Sequence, residues 1–184
     1  NSNNLNQFIS AINKYGFIEI YPLRYINSLY YDDPLLSSVT ENIAGITPRN
    51  KFRIRWYCTI DKNKNFGWQF EKKIKDGELG YKKICKLKDN FYRQNDFSLS
   101  CLIANYKSID NLVSTNIEPK LICNYKRNYY ENKSGIRLTI DSNLRFKKFD
   151  INIPITNSGI WQCSNQYIIE LKFTPEKRPE ISKI

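Results

Sequence analysis

KFRIRWYCTI, residues 51–60, alternates two kinds of side chain: Lys51, Arg53 and Arg55 share one parity, and Phe52, Ile54 and Trp56 share the other. A strand sends successive side chains to opposite faces and rises about 3.3 Å per residue, so same-face neighbours stand about 6.6 Å apart. At an effective dielectric near 20, each adjacent like-charge pair costs roughly 2.5 kcal/mol, falling below about 1 kcal/mol on a face open to water. The cationic face is therefore either solvated or opposed by an anion. A polar face and an apolar face are also how an ordinary antiparallel sheet meets water, so the decision rests on the rest of the chain.

The 184 residues, 41% of them hydrophobic, suffice for one soluble globular domain, and residues 1–184 read as a single unit. Lys plus Arg number 29 against 18 Asp plus Glu, a net charge of +11 that favours an anionic partner such as nucleic acid, a phospholipid headgroup or polyphosphate. The five cysteines are widely spaced and form no C-x-x-C pair, so they read as reduced thiols of a cytosolic protein. Histidine is absent, which excludes imidazole acid–base chemistry, His-based triads and His metal sites. No apolar run approaches the roughly 20 residues of a bilayer span, and the opening NSNNLNQF is not a signal peptide. With no methionine, the chain reads as a piece of a longer or processed product, with an N-terminal element expected outside it.

Leu5, Phe8, Ile9 and Ile12 recur at helical spacing, and Gly16 follows as a stop. Strand-like segments, rich in β-branched and aromatic residues, then dominate at 24–31, 51–60, 66–74, 120–130, 135–141 and 167–173. Asp76-Gly77 and Lys133-Ser134-Gly135 supply turns. Between Asp89 and Thr115 the alternation weakens, and Leu99, Leu102, Ile103 and Tyr106 suggest a helix packed on the sheet.

The opening parity recurs. Glu71 and Lys73 share a face, as do Tyr125, Arg127 and Tyr129, then Arg137, Thr139 and Asp141, then Glu170 and Lys172, with Phe70, Ile136, Leu138, Ile140, Ile169, Leu171 and Phe173 opposite. Arg rather than Lys at several of these positions suits a bidentate grip on phosphate oxygens. A sheet charged on one face of nearly every strand can curl so that this face lines an interior, and closing it removes the edges. The expected fold is α+β, an antiparallel β-barrel forming a charged tunnel with flanking helices. Phosphate then lies opposite Lys51, Arg53 and Arg55.

Five motifs in order carry a family resemblance: NSLYYDDP at 27–34, RNKFRIRWY at 49–57, FEKKIKDGELGYKK at 70–83, PKLICNYKRNYYENKSGIRLTID at 119–141 and IIELKF at 168–173. Together they resemble the VTC (vacuolar transporter chaperone) polyphosphate polymerase domain, a triphosphate tunnel metalloenzyme. The resemblance implies a metal-dependent ATP:polyphosphate phosphotransferase that moves the ATP γ-phosphate onto a polyphosphate chain. It makes Arg53, Arg55, Lys73, Arg127 and Arg137 phosphate-gripping catalytic residues, Tyr125 a polar neighbour of the phosphates, and Glu170 the carboxylate for Mn²⁺ or Mg²⁺. Lys51, Lys82, Lys172, Ser182 and Lys183 join as further phosphate-binding residues. Two departures from the family pattern are expected: its first tunnel strand, with its Lys, and most of its closing C-terminal helix should lie outside this sequence.

Phosphoryl transfer demands positioning and charge neutralisation more than covalent catalysis, so a site without histidine is no obstacle. Asp141 and Glu71 read equally well as supporting metal groups or as salt-bridge partners that orient tunnel cations. Trp56, Trp68 and Phe70 read as core aromatics, and the lysines at 82, 83, 86 and 88 as a solvated face whose first members approach the tunnel mouth. A metal-dependent triphosphatase and a non-catalytic polyphosphate- or RNA-binding module are the competing readings. ATP and polyphosphate or triphosphate are the expected partners, with no DNA. The expected location is cytoplasmic, or cytosol-facing on a membrane complex contacted through segments outside this chain.

Overall fold

The computed structural model describes residues 2–58, 65–88, 90–91, 96–113, 116–152, 155 and 159–181. Helix α1, Ser2–Lys14, is followed by β1 (Ile18–Asp32), α2 (Ser37–Ile43), β2 (Arg49–Cys58), β3 (Asn65–Asp76) and β4 (Leu79–Lys86). After α3 (Leu99–Asn105) and a 3₁₀ turn come β5 (Glu118–Glu131), β6 (Arg137–Lys148), β7 (Gln162–Ser164), β8 (Ile168–Lys172) and the short α4 (Arg178–Ile181). Gly16 ends α1 at φ 77°, as the sequence suggested. Ser98 caps α3, its Oγ accepting from the Cys101 amide at 3.2 Å.

The eight strands form one antiparallel sheet in the order β4-β3-β2-β1-β5-β6-β7, with β8 also pairing β6. The alternation in β2 sorts the two faces. Phe52, Ile54 and Trp56 pack with Leu29, Trp68, Phe70 and Ile122, beneath Leu102 of α3 and Ile109 of the 3₁₀ turn. Trp56 and Trp68 stack at 4.5 Å and 6°, so the core reading of these indoles holds. Farther along the same face, Tyr130, Leu138 and Ile140 bury Ile12 and Phe17, the apolar side of α1 and its exit. Helices α1 and α3 thus cover one face and leave the charged face to the interior of the curve.

How strongly the sheet curves follows from a single pair of strands. β3 and β8 are five steps apart in the sheet, about 24 Å if it were flat. Yet Lys73 on β3 and Glu170 and Lys172 on β8 line one and the same cavity. The sheet therefore folds back on itself as a trough. Closure into the barrel expected from the sequence is not shown: among the described residues no pairing joins β4 to β7 or β8. β7 and β8 divide the far edge of β6 between them, which leaves β4 with one sheet neighbour.

One bulge matters for the interior. Asn124 pairs with Arg145 but Lys126 pairs with Ser142, so β6 carries an extra residue there. Asn143 absorbs it at φ 53°, a left-handed conformation that Asn tolerates. The insertion switches parity, and Leu144 and Phe146 join Asp141 on the trough side.

Candidate functional site

The trough encloses a cavity of about 510 Å³. β2 contributes Lys51, Arg53 and Arg55, β3 contributes Lys73, β5 contributes Tyr125 and Arg127, and β8 contributes Glu170 and Lys172. Eight residues singled out in the sequence, from four strands, thus line one space. Lys120 adds a seventh cation, whereas Asp32, Asp141 and Glu170 are the carboxylates in the lining.

Two of those carboxylates are already engaged. Asp32 caps α2, its Oδ1 accepting from the Ser38 amide at 3.0 Å and its Oδ2 from the Val39 amide at 3.1 Å. Asp141 grips Arg127 bidentately, at 2.5 Å from Nε and 2.6 Å from the terminal nitrogen. Burial works against the Arg127 charge, but this grip overcomes it and holds the guanidinium protonated. Glu71, beneath the lining and fully buried, accepts from Arg53 Nε at 2.6 Å and from Gln69 at 2.6 Å, with Lys82 at 3.4 Å. Burial alone would raise the Glu71 pKa; Arg53, Arg55 and Lys82 outweigh it and hold the carboxyl below its usual value. Both acids therefore act as anchors for arginines.

Arg55 has no such anchor. Only 9% exposed, it donates to the Tyr125 hydroxyl at 3.1 Å, and its Nε has no partner. No carboxylate lies within ion-pair distance of it among the described residues. A buried charge without a counterion is costly, and here it faces a cavity. Ser28 Oγ and Thr139 Oγ1, buried on the Arg55 and Glu170 rungs respectively, also lack partners.

The lysines tell the same story. Burial, and then the neighbouring Lys73, Arg49 and Arg53 charges, push the Lys51 pKa down. Lys73 is lowered by burial and by Arg53, Lys172 and Arg55, against a raising contribution from Glu170. An anion in the cavity would relieve every one of these repulsions. Burial pushes the Tyr125 phenol up to about 12, so it stays protonated and can donate. Burial and Asp141 push the Cys123 thiol up to about 11, which makes it a neutral wall rather than a nucleophile.

Two predicted residues stand outside the lining. Arg137 shares the trough parity but lies at the end of β6, 67% exposed and 3.5 Å from Glu131. Lys82, half-exposed on β4, leans on Glu71. Ser182 and Lys183 lie outside the described residues. Sequence reading missed Lys120, Asp32 and Tyr30. Tyr30 could have been found by its rung, since it pairs with Arg53 and its hydroxyl accepts from that guanidinium at 3.2 Å.

The remaining lining carboxylate, Glu170, is half-exposed, and among the described residues its ion-pair partner is Lys172 at 3.6 Å. Among the described residues no group of three or more His, Cys, Asp or Glu side chains could hold a metal alone. A single lining carboxylate such as Glu170 fits Mg²⁺-like ions, which take one or two carboxylates and complete their shell with water and phosphate oxygens.

The sequence profile of the VTC domain matches residues 1–184. The chain belongs to the VTC domain family. This family is associated with polyphosphate and phosphate metabolism and includes polyphosphate polymerase catalytic domains. No curated protein matches the chain. In this VTC domain no described helix is long and apolar enough to cross a membrane.

Proposed function

We propose that this VTC domain is a polyphosphate polymerase that transfers the γ-phosphate of ATP to the end of a polyphosphate chain held in the trough. The observation that carries the proposal is Arg55, a buried guanidinium without a carboxylate, set among six other cations in one cavity. On this reading Arg53, Arg55 and Arg127 grip the triphosphate, with Glu71 and Asp141 fixing the first and last in place. Lys51, Lys73, Lys120 and Lys172 steer the acceptor chain, and the Tyr125 hydroxyl donates to a phosphate oxygen. Arg137 extends the cationic track beyond the cavity rim, and the trough is the wall of a tunnel whose gap lies between β4 and β8. Glu170 would hold Mn²⁺ or Mg²⁺, which when bound offsets charge on the transferring phosphoryl group. The domain's work is alignment of donor and acceptor and neutralisation of their mutual repulsion.

The test is incubation with ATP and Mn²⁺ or Mg²⁺, followed by assay of polymer and of free phosphate. Polymer is the expected product. Phosphate without polymer would replace the reading with a triphosphatase using the same residues, and neither product would leave a polyphosphate-binding module.

A further inference from the structure

Beyond the cavity, the trough face changes character. One step past Arg55 on β2 stands Tyr57, and one step past Arg127 on β5 stands Tyr129, each about 6.6 Å farther along. β1 adds Arg24 and Tyr21: Arg24 pairs with Arg127 and Tyr21 with Tyr129, across a register shift that brings both to this side. The Arg24 guanidinium carbon sits 4.9 Å from the Tyr21 ring centre, 5.4 Å from that of Tyr129 and 5.9 Å from that of Tyr57. Phe66 on β3 stacks against Tyr57 at 5.9 Å and 28°. Gly67 permits that approach, because a Cβ there would lie 2.9 Å from the Tyr57 ring. Among the described residues no carboxylate pairs with Arg24.

The opposite end of the cavity differs in kind. There Lys51, Lys73 and Lys120 meet α2, a setting for more phosphate. The two ends thus offer a polyanion track on one side and aromatic rings with a guanidinium plane on the other. Tyr21 and Phe66 are both exposed at this aromatic end, so their rings are open to a ligand.

We propose that Tyr21, Arg24, Tyr57 and Tyr129, with Phe66 behind Tyr57, form the seat of the base of a nucleoside triphosphate whose phosphates lie on Arg55 and Arg127. The inference rests on the phosphate reading of the cavity and gives it a direction: the nucleoside enters from the tyrosine end and the polyanion leaves past α2. Stacking between rings and a guanidinium suits any base, because every base has a π-face.

The experiment is calorimetric titration of the chain with ATP and, separately, with inorganic triphosphate. Tyr57→Leu and Tyr129→Leu should each weaken ATP binding about 5- to 150-fold, the range for loss of one base–aromatic stack, and leave inorganic triphosphate unchanged. Tyr57→Phe should retain ATP affinity, since the ring survives. Should Tyr57→Leu fail to fold, the half-exposed Tyr21→Ala carries the same comparison. Equal losses for both ligands, or no loss for ATP, would overturn the base seat while leaving the phosphate site standing. A parent chain that binds neither ligand would overturn the phosphate reading and this inference with it.

Discussion

Arg53 and Glu71 face one another across the β2–β3 rung, joined at 2.5 and 2.6 Å, with the carboxylate fully buried and the guanidinium at the cavity wall. Removing one partner from a buried pair costs about 3–5 kcal/mol, because the survivor keeps its desolvation penalty. Glu71→Gln should therefore lower Tm by about 6–12 °C, taking the lower end of that cost and about 2–4 °C per kcal/mol for a domain of this size. Inorganic triphosphate should restore more of the loss than it adds to the parent, because the anion replaces the missing charge opposite Arg53. Thermal denaturation with and without triphosphate checks both; an unchanged Tm would remove Glu71 from its anchoring role.

The same pair sets an acid limit. The folded-state pKa of Glu71 lies below its ordinary value of 4.5, so under acid conditions the unfolded chain takes up its proton first. Its contribution to stability is fully present above about pH 4.5 and is lost as pH falls through the folded value. Denaturant titrations of parent and Glu71→Gln should converge toward low pH. Parallel curves would assign the acid sensitivity elsewhere.

Arg55 should behave in the opposite sense. An apolar side chain of similar length in place of an unpaired buried charge removes that charge's desolvation cost. Arg55→Met should match or exceed the parent in Tm without ligand, yet lose about 10- to 100-fold in triphosphate affinity, the scale of one charge-assisted hydrogen bond. A variant with lower Tm and unaltered affinity would make Arg55 structural.

Salt and alkali should both weaken triphosphate binding. Raising ionic strength from about 0.01 M to about 1 M shortens the screening length from about 30 Å to about 3 Å, so affinity should fall steeply. Lys51 and Lys73 have pKa values lowered from 10.5, chiefly by burial, and they lose charge as pH rises before exposed lysines do. A bound anion pulls their pKa values back up, so binding under mildly alkaline conditions should take up protons. Calorimetry in two buffers of different ionisation enthalpy measures this uptake; its absence at every alkaline pH would place the anion elsewhere.

Glu170→Gln should abolish turnover of ATP with either Mg²⁺ or Mn²⁺ while leaving metal-free triphosphate binding equal or tighter, because a negative charge next to Lys73 is removed. Chelation of the parent should reproduce the loss of turnover. Retained turnover in the variant would move the metal to another group.

Period-two alternation made the site legible in the sequence. Lys51, Arg53, Arg55, Lys73, Arg127, Glu170 and Lys172 share parities on long strands, and each reaches the cavity. Alternation says nothing of how far along a curved strand the cavity extends, which is why Arg137, on the right face, falls beyond its rim. Nor does it survive a bulge: the left-handed Asn143 reverses parity midway through β6, so the Leu144 and Phe146 wall could not be read by counting from Asp141. The helix α2 was missed because its start depends on Asp32 at the end of a strand, bonding six and seven residues ahead. Closure cannot be read from the sequence for a related reason. Alternating strands permit a barrel, but only pairing of the last edges makes one, and edge partners leave no mark on parity.

The place of β1 in the sheet has a consequence for how the site comes into being. β2, β3 and β4 form a meander of neighbours in sequence, and β5 and β6 form a hairpin, so each group can assemble from local contacts. β1 joins them, pairing Ile18 with Glu131 and Asp32 with Glu118 across some hundred residues of chain. Closing such a loop is the slow, entropically expensive part of building a sheet. Arg53 and Arg55 lie on one side of that seam, and Tyr125 and Arg127 on the other. The hydrogen bond from Arg55 to Tyr125 spans it. A chain that has formed only its local strand pairs therefore has every cation of the proposed phosphate site but not their convergence, and anion binding should report on completion of the long-range β1–β5 seam.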